Sequence, residues 1–231
     1  MKFYFAVLVP WILSVACEAE PLLQQGNLDD WSSYTITGES QYEPIMDMEQ
    51  GVVIRASSEN SASGYRFFNT IDLSVTPILH WQWTAQQLPF FMEMSNQGIE
   101  EKITEFDETQ SEGDDFVLRM VVGKQALFGD AKTLQYVWSG NQPIGSHWAP
   151  NRNSRVLVVS GDTQVKMQWQ TLSRNIQADW QAMFDEEISS VDFIAFMTDS
   201  DAIKGAAIGY YGDIQTTTKE ALTAVQPLGD I

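Results

Sequence analysis

The sequence predicts an all-β fold, a β-sandwich or jelly roll of about ten strands with one short helix. Three observations support this prediction. From about Leu28 onward, short runs of alternating apolar and polar residues recur, and Gly, Pro, Asn and Asp separate them. Two further runs, 116–122 and 191–198, are apolar at almost every position, which is typical of strands buried on both faces. Strands at this spacing indicate two packed sheets.

The alternating runs locate the individual strands. The clearest run is 165–171, where Val165, Met167 and Trp169 alternate with polar residues. Trp81 and Trp83 are also two residues apart, so they share one face of a strand, and we expect them in the core rather than in a stacking platform. The other predicted strands are 42–48, 52–56, 64–68, 79–85, 134–139, 156–160 and 206–216.

One segment follows a helical period instead. The apolar residues Ile176, Trp180, Met183 and Phe184 are spaced so that they lie on one face of a helix. Asn175 precedes them and is a suitable N-cap. The sequence therefore predicts a single short helix that closes one end of the sandwich or crosses between its sheets.

The N-terminal residues predict export. Lys2 is followed by an apolar run of 14 residues, 3–16, whereas a membrane-spanning helix needs about 20. We therefore expect residues 1–19 to be a secretory signal peptide and the mature protein to be periplasmic or extracellular. The single cysteine, Cys17, leaves two interpretations open: ordinary cleavage after Ala19, or a lipoprotein signal that ends before an acylated Cys17.

The remainder of the chain is predicted to contain one domain and a short tail. Residues 28–217 are predicted to form a single β-sandwich domain, because no linker or internal repeat interrupts the pattern. Residues 218–231 are predicted to be a C-terminal tail, which contains Pro227 and Gly229.

The charge balance argues against nucleic acid and other polyanionic partners. The chain carries 31 acids and 13 bases, a formal charge of −18, and nucleic-acid binding requires clustered Lys and Arg. We expect membrane contact only through a lipid anchor on Cys17.

Acidic residues are concentrated in 92–115, which holds nine acids and one base. This long segment is either a solvated, salt-adapted loop or a loop that binds cations or gates a site.

Paired carboxylates suggest a Ca²⁺ site. Asp199 and Asp201 are two residues apart, so an extended strand places both on one face, where hard oxygen ligands suit Ca²⁺. Asp114 and Asp115 are adjacent and would point to opposite faces, so only one of the two joins the site, and Asp114 is the candidate. Asp213 is a fourth candidate ligand. The alternative is that these aspartates cap turns.

Aromatic residues suggest a second kind of site. Trp138, Trp148, Tyr210 and Tyr211 lie near Gly or Asp, where strands reach loops, and sugar rings stack on exposed aromatic side chains.

Sequence signatures of catalysis, such as G-x-S-x-G and H-E-x-x-H, do not occur. We therefore assign no catalytic residue.

Several short motifs together resemble a known family. They are Trp81-Gln82-Trp83, Gly113-Asp114-Asp115-Phe116, Tyr136-Val137-Trp138-Ser139, Arg174-Asn175-Ile176, Met197-Thr198-Asp199-Ser200-Asp201 and Tyr210-Tyr211-Gly212-Asp213-Ile214. In this order they resemble an uncharacterised family of exported bacterial proteins, domain of unknown function 3047, over roughly residues 28–217. The resemblance implies a β-sandwich related in shape to galactose-binding and carbohydrate-binding modules, and it implies no established activity.

These observations favour a non-catalytic module that binds a glycan or another ligand of the cell envelope. Two alternatives remain. One is a hydrolase or lyase that acts on polysaccharide with carboxylates of the acidic segment and of Asp199 and Asp201 as acid and base. The other is a structural scaffold of the envelope.

The signal-peptide assignment predicts the N-terminus of the exported protein. Its intact mass should lack residues 1–16, and a diacylglycerol mass on Cys17 would identify a lipoprotein. An exported protein that still carries Met1 would contradict the assignment.

Overall fold

The computed structural model describes residues 19–95, 98–102, 106–161 and 167–219, and for residues 90–102 we describe the backbone alone. The predicted signal peptide with Cys17, and most of the predicted tail, lie outside these ranges. The strands are β1 (Ala19–Leu23), β2 (Trp31–Thr37), β3 (Gln41–Asp47), β4 (Gly51–Glu59), β5 (Ala62–Phe67), β6 (Ile71–Asp72), β7 (Ile78–Ser95), β8 (Gly98–Lys102), β9 (Arg119–Lys124), β10 (Lys132–Ser139), β11 (His147–Asn151), β12 (Ser154–Gly161), β13 (Gln170–Asn175), β14 (Ser190–Val191), β15 (Phe193–Asp199) and β16 (Ala206–Thr217). The helix α1 spans Ile176–Phe184, and a short 3-10 helix spans Ser111–Gly113.

The strands form two seven-stranded sheets and one small ribbon. The first sheet has the order β13-β7-β16-β4-β3, with β1 paired to β16 and β8 paired to β7. The second sheet has the order β11-β12-β10-β9-β15-β5-β2, and β6 pairs with β14 in the ribbon. Neighbouring strands are antiparallel except β10 and β12, which run parallel. The predicted all-β sandwich with one short helix is confirmed.

Aromatic side chains fill the space between the two sheets. Trp81 and Trp83 are both almost fully buried, and their rings meet edge to face at 5.3 Å. Across the sandwich, Trp81 packs on Tyr136 at 5.4 Å, and Phe196 packs on Tyr211 at 4.7 Å. These pairs add to the burial of apolar area, which is the main favourable term in folding. The expectation that Trp81 and Trp83 belong to the core is therefore confirmed.

The two runs that are apolar on both faces became central strands. They correspond to β9 and β15, which pair with each other in the middle of the second sheet. Met120 and Phe196 point into the sandwich, whereas Val121 and Ala195 are buried on the opposite face of the same strands. The outer face of this sheet therefore also holds buried side chains.

The helix α1 forms at the predicted residues. The side chain of Asn175 accepts a hydrogen bond from the backbone N–H of Ala178 at 3.1 Å, which is the N-cap geometry. At the other end, Asp185 adopts a left-handed conformation with φ of 55°. Ile176 and Trp180 are fully buried on the helix face that meets the core.

Among the residues that the structure describes, none form a helix with the length and hydrophobicity that crossing a membrane requires.

One strand prediction and one loop prediction were wrong in detail. The described part of 165–171 becomes a strand only at Gln170, because Met167 has a positive φ of 48° that breaks the extended backbone. The acidic segment 92–115 is not one long loop, since β7 continues to Ser95 and pairs with β8 as a hairpin. Backbone pairing needs no apolar alternation, so the sequence pattern did not reveal this hairpin. The described residues also contain more strands than predicted, because strands such as β2 show little alternation.

The packing of α1 gives a stability prediction. Trp180→Ala should lower the free energy of unfolding by about 3–5 kcal/mol, because it leaves a cavity under the helix. Gln181→Ala, on the exposed face of the same helix, is the control and should change it by about 0.5 kcal/mol or less. Urea denaturation measures both. A small effect of Trp180→Ala would show that this ring contributes little to the core.

Candidate functional site

The outer face of the second sheet carries a groove of about 360 Å³. Five neighbouring strands contribute its floor: Tyr34 lies on β2, Arg66 on β5, Ala195 on β15, Val121 on β9 and Gln135 on β10. We call this depression the outer groove. Neighbouring strands lie about 4.8 Å apart, so the floor extends about 19 Å across the sheet. Its volume falls in the range of small-ligand sites, about 300–1,000 Å³.

Strand alternation explains why the floor is mixed in character. Every second residue of β15 points outward, namely Phe193, Ala195, Met197 and Asp199, while the residues between them face the core. The small side chain of Ala195 lies between the larger side chains of Phe193 and Met197 on this face. The result is an apolar floor with polar groups at its ends.

Arg119 holds one end of the outer groove together. Its side chain is only 4% exposed, and its guanidinium donates to Asp199 Oδ2 at 2.6 Å and to Gln135 Oε1 at 2.5 Å. The same group donates to the backbone carbonyl of Asp114 at 3.0 Å and lies over the ring of Phe116 at 4.7 Å. A buried charge without partners lowers the stability of the fold by several kcal/mol. Arg119 therefore needs these hydrogen bonds in its buried position.

Asp115 fixes the neighbouring loops. Its two carboxylate oxygens accept hydrogen bonds from the backbone N–H groups of Ala202 at 3.1 Å and Ile203 at 2.7 Å. The loop that leads into β9 is thereby tied to the turn between β15 and β16. Glu108, only 2% exposed, secures the other end of this loop, since it accepts a bond from the N–H of Gly140 at 2.9 Å.

Burial changes the protonation of this cluster. Asp199 is 2% exposed, and desolvation raises its pKa to about 8. The positive charge of Arg119 lowers this pKa, whereas the negative charges of Asp115 and Asp114 raise it further. Burial also raises the pKa of Asp115. At the other end of the groove, desolvation raises the pKa of Tyr34 to about 12, so its hydroxyl stays a donor at neutral pH.

The structure brings together two of the four predicted Ca²⁺ ligands and adds a third aspartate. Oxygens of Asp115, Asp199 and Asp201 all lie within 4.8 Å of one another. The structure places Asp115, rather than the predicted Asp114, beside Asp199 and Asp201, because the 3-10 turn at 111–113 removes the strand geometry that the choice of Asp114 assumed. Asp114 instead faces Arg119 at 3.3 Å.

Asp213 lies apart from this cluster. It is on β16 of the first sheet, where its side chain accepts a hydrogen bond from the backbone N–H of Gln25 at 2.9 Å. The three clustered aspartates fit a cation poorly as they stand, because Asp115 already binds two backbone amides and Asp199 binds the Arg119 guanidinium. Ca²⁺ binding stays a prediction.

The four aromatic residues predicted to stack on sugars have other positions. Tyr211 is fully buried, Trp138 is 4% exposed and Tyr210 is 7% exposed, so none of them presents a ring face to a ligand. The prediction was wrong for these three because their strands carry them into or against the sandwich. Trp148 is half-buried and packs on Phe116, with ring centroids 6.2 Å apart, outside the outer groove.

Sequence reasoning singled out Asp114, Asp199 and Asp201 of the groove lining but missed Arg119, Arg66 and Tyr34. One signal was present: Arg119 is a lone charge within the run 116–122, and a buried charge in a central strand must have partners. Arg66 and Tyr34 had no comparable signal, because their role depends on which strands become neighbours.

The raised pKa of Asp199 predicts how stability depends on pH. The folded protein keeps a proton on Asp199 up to about pH 8, whereas the unfolded chain releases it near 3.8. The folded state therefore binds more protons between these values, and the Asp199 contribution to stability is lost as pH rises through them. We expect the melting temperature to fall between about pH 5 and about pH 8, and Asp199→Asn to flatten this dependence.

Asp30→Asn is the matched control, because it removes the same charge from an exposed position. Thermal denaturation across the pH range measures all three proteins. Equal slopes in the parent and in Asp199→Asn would contradict the assignment of this titration to Asp199.

Three solved structures are similar to the chain at low sequence identity. The carbohydrate-binding module TmCBM61, solved in complex with beta-1,4-galactotriose, is 6% identical with a TM-score of 0.38, over 84% of this chain and 92% of that chain. The enzymatically active domain of bacteriophage CBA120 tailspike protein 4 is 9% identical with a TM-score of 0.39, over 84% of this chain and 20% of its own length. An exo-beta-agarase is 10% identical with a TM-score of 0.38, over 91% of this chain and 25% of its own length.

The sequence also matches a protein family. No curated protein matches the chain. The family described as "Protein of unknown function (DUF3047)" matches residues 29–215, which is most of the described domain. This match includes all the motifs on which the resemblance was based. The chain therefore belongs to the DUF3047 family.

Proposed function

We propose that this chain is an exported, non-catalytic protein that binds a glycan in the outer groove. The observation that supports this most directly is the groove itself, which crosses five strands and combines an apolar floor with polar groups at both ends. A saccharide has apolar ring faces and hydroxyls around its edge, so it requires this combination of surfaces.

The polar groups suit hydroxyl recognition. Asp201 and Asp114 offer carboxylate oxygens at the Arg119 end, and Thr133 offers a hydroxyl on β10. A carboxylate accepts a hydrogen bond from a sugar hydroxyl, and a hydrogen bond to a charged group is about twice as strong as a neutral one. Because Arg119 and its partners are already fixed, these acceptors are held in place before a ligand arrives, which lowers the entropic cost of binding.

The ring of Tyr34 supplies an aromatic wall. Tyr34 is half-buried on β2, the edge strand of the second sheet. The guanidinium carbon of Arg66 lies 4.6 Å from the centroid of the Tyr34 ring. A sugar stacks on an aromatic ring when the ring is held rigidly and one face of the sugar can contact it. Of the two aromatic residues that line the outer groove, Tyr34 is half-buried and Phe193 is buried, so Tyr34 is the one that we expect a sugar to contact.

The same contacts argue for binding rather than catalysis. Asp199 is bonded to Arg119 and accepts the N–H of Phe116 at 3.1 Å, and Asp115 is bonded to two backbone amides. A general acid or base must reach the substrate with a free oxygen. These two carboxylates instead hold loops together, so we assign them a structural role.

A binding experiment tests the proposal. We expect at least one member of a panel of neutral and acidic plant, algal and bacterial polysaccharides to retard the protein in affinity electrophoresis. Tyr34→Ala should then weaken binding by about tenfold, because it removes an aromatic contact worth about 1–1.5 kcal/mol. Phe128→Ala is the control, since Phe128 is 94% exposed on the β9–β10 loop, outside the outer groove.

Two results would contradict the proposal. Binding to no member of the panel would remove the glycan assignment. Release of new reducing ends from a bound polysaccharide, lost in Asp199→Asn, would identify an enzyme instead of a binding protein.

A further inference from the structure

Arg66 occupies an unusual position at the far end of the outer groove. Its guanidinium lies over three aromatic rings, at 4.6 Å from the centroid of Tyr34, 4.8 Å from Phe193 and 4.9 Å from Phe68. Contacts of this kind are worth about 0.5–1 kcal/mol each at exposed sites and more when water is excluded. The three rings therefore fix the position of the guanidinium, and its terminal amino groups make no hydrogen bond with the described residues.

A glycine contributes to this arrangement. The ring of Phe193 covers Gly123 of the neighbouring strand so closely that a Cβ at that position would lie 1.9 Å from the ring atom Cζ. Only glycine allows Phe193 to lie flat against β9 in this way. The aromatic cage around Arg66 is thus built into the sheet.

The charge of Arg66 has no counterpart in the described part of the chain. No carboxylate of the described residues lies within 4.0 Å of its guanidinium, and its buried Nε atom has no hydrogen-bond partner there. The chain carries 31 acids and 13 bases, so partners for an arginine are abundant in the sequence. The buried Nε of Arg119, on the same face, also lacks a partner, but the terminal amino groups of Arg119 are bonded to acids, amide and carbonyl, whereas those of Arg66 have no such bonds among the described residues. An arginine that is rigidly held and lacks such partners is suited to bind an anion from outside.

Strand register gives the distance between the two ends of the groove. On the paired strands β5 and β15, Arg66 is opposite Ala195 and Ala62 is opposite Asp199. Arg66 and the Asp199 position are therefore four residues apart along the strands, about 13 Å. The groove is acidic at one end and basic at the other, and a short oligosaccharide reaches both.

We propose that the glycan bound in the outer groove carries an anionic substituent, a carboxylate or a sulfate, and that Arg66 binds this group. This inference rests on the proposed function and specifies its ligand class. Hydroxyls of the same ligand meet Asp114 and Asp201 at the opposite end. The planar guanidinium forms two parallel hydrogen bonds to a carboxylate or to two oxygens of a sulfate.

The overall charge of −18 does not prevent this binding. At an ionic strength of about 0.15 M the Debye length is about 8 Å, so charges elsewhere on the surface are largely screened. A guanidinium in direct contact with an oxyanion is screened much less.

Matched pairs of ligands test the inference. The probes are oligogalacturonate with its methyl ester, and κ-carrageenan oligosaccharides with their desulfated form, each measured by isothermal titration calorimetry at about 0.15 M salt. We expect an acidic probe to bind about tenfold or more tightly than its neutral form, because charged hydrogen bonds are the strong ones. The pair that shows this preference identifies the anion as carboxylate or sulfate.

Variants locate the preference at Arg66. Arg66→Met should abolish the difference between the acidic and neutral probes, and Arg66→Lys should keep only part of it, because lysine lacks the planar fork. Arg55→Met removes the same charge from an exposed pair with Glu43 on the first sheet and should leave the difference unchanged. Melting temperatures identify any variant that fails to fold, and the comparison of ligand pairs with the parent protein needs no variant.

The outcomes separate this inference from the proposed function. Equal or tighter binding of the neutral forms, or of neutral polysaccharides alone, would overturn the role of Arg66 and leave glycan binding in place. A preference for the acidic form that persists in a folded Arg66→Met protein would also overturn it. Binding of no glycan at all would remove both.

Discussion

The hydrogen-bonded pair of Arg119 and Asp199 is the constraint on which the outer face of the second sheet depends. Both side chains are less than 5% exposed, and they lie on the two central strands β9 and β15. Because a buried guanidinium and a buried carboxyl group both need hydrogen-bond partners, the surrounding chain must supply the remaining hydrogen bonds. Asp114, Phe116 and Gln135 supply them, and this requirement places the loop before β9 across the end of the sheet.

The aromatic side chains are divided between the core and the groove by strand geometry. The large rings of Trp81, Trp83 and Tyr136 fill the space between the sheets, where apolar burial stabilises the fold. The outer face keeps small residues such as Ala195 at its centre and places Tyr34 and Phe193 at its border. A ligand site on this face therefore depends more on arginine, carboxylate and amide groups than on tryptophan.

The local pattern was sufficient to predict much of the fold. Alternation gave the positions of β4, β10 and β16, and the helical period gave α1 with its cap at Asn175, because both patterns are properties of neighbouring residues. Local patterns failed where the backbone leaves its regular geometry. The positive φ of Met167 interrupts an alternating run, and the 3-10 turn before Asp114 changes which carboxylate joins Asp199.

The sequence by itself determined the all-β class, the helix α1, the burial of Trp81 and Trp83, and the acidic character of the chain. Only the tertiary structure decided that Arg119 meets Asp199, 80 residues away, and that Arg66 lies among Tyr34, Phe68 and Phe193. The physical reason is that alternation specifies which face a residue occupies but not which strand lies beside it. Strand order and register are set by packing of the whole core, and the outer groove exists only once β2, β5, β15, β9 and β10 are neighbours.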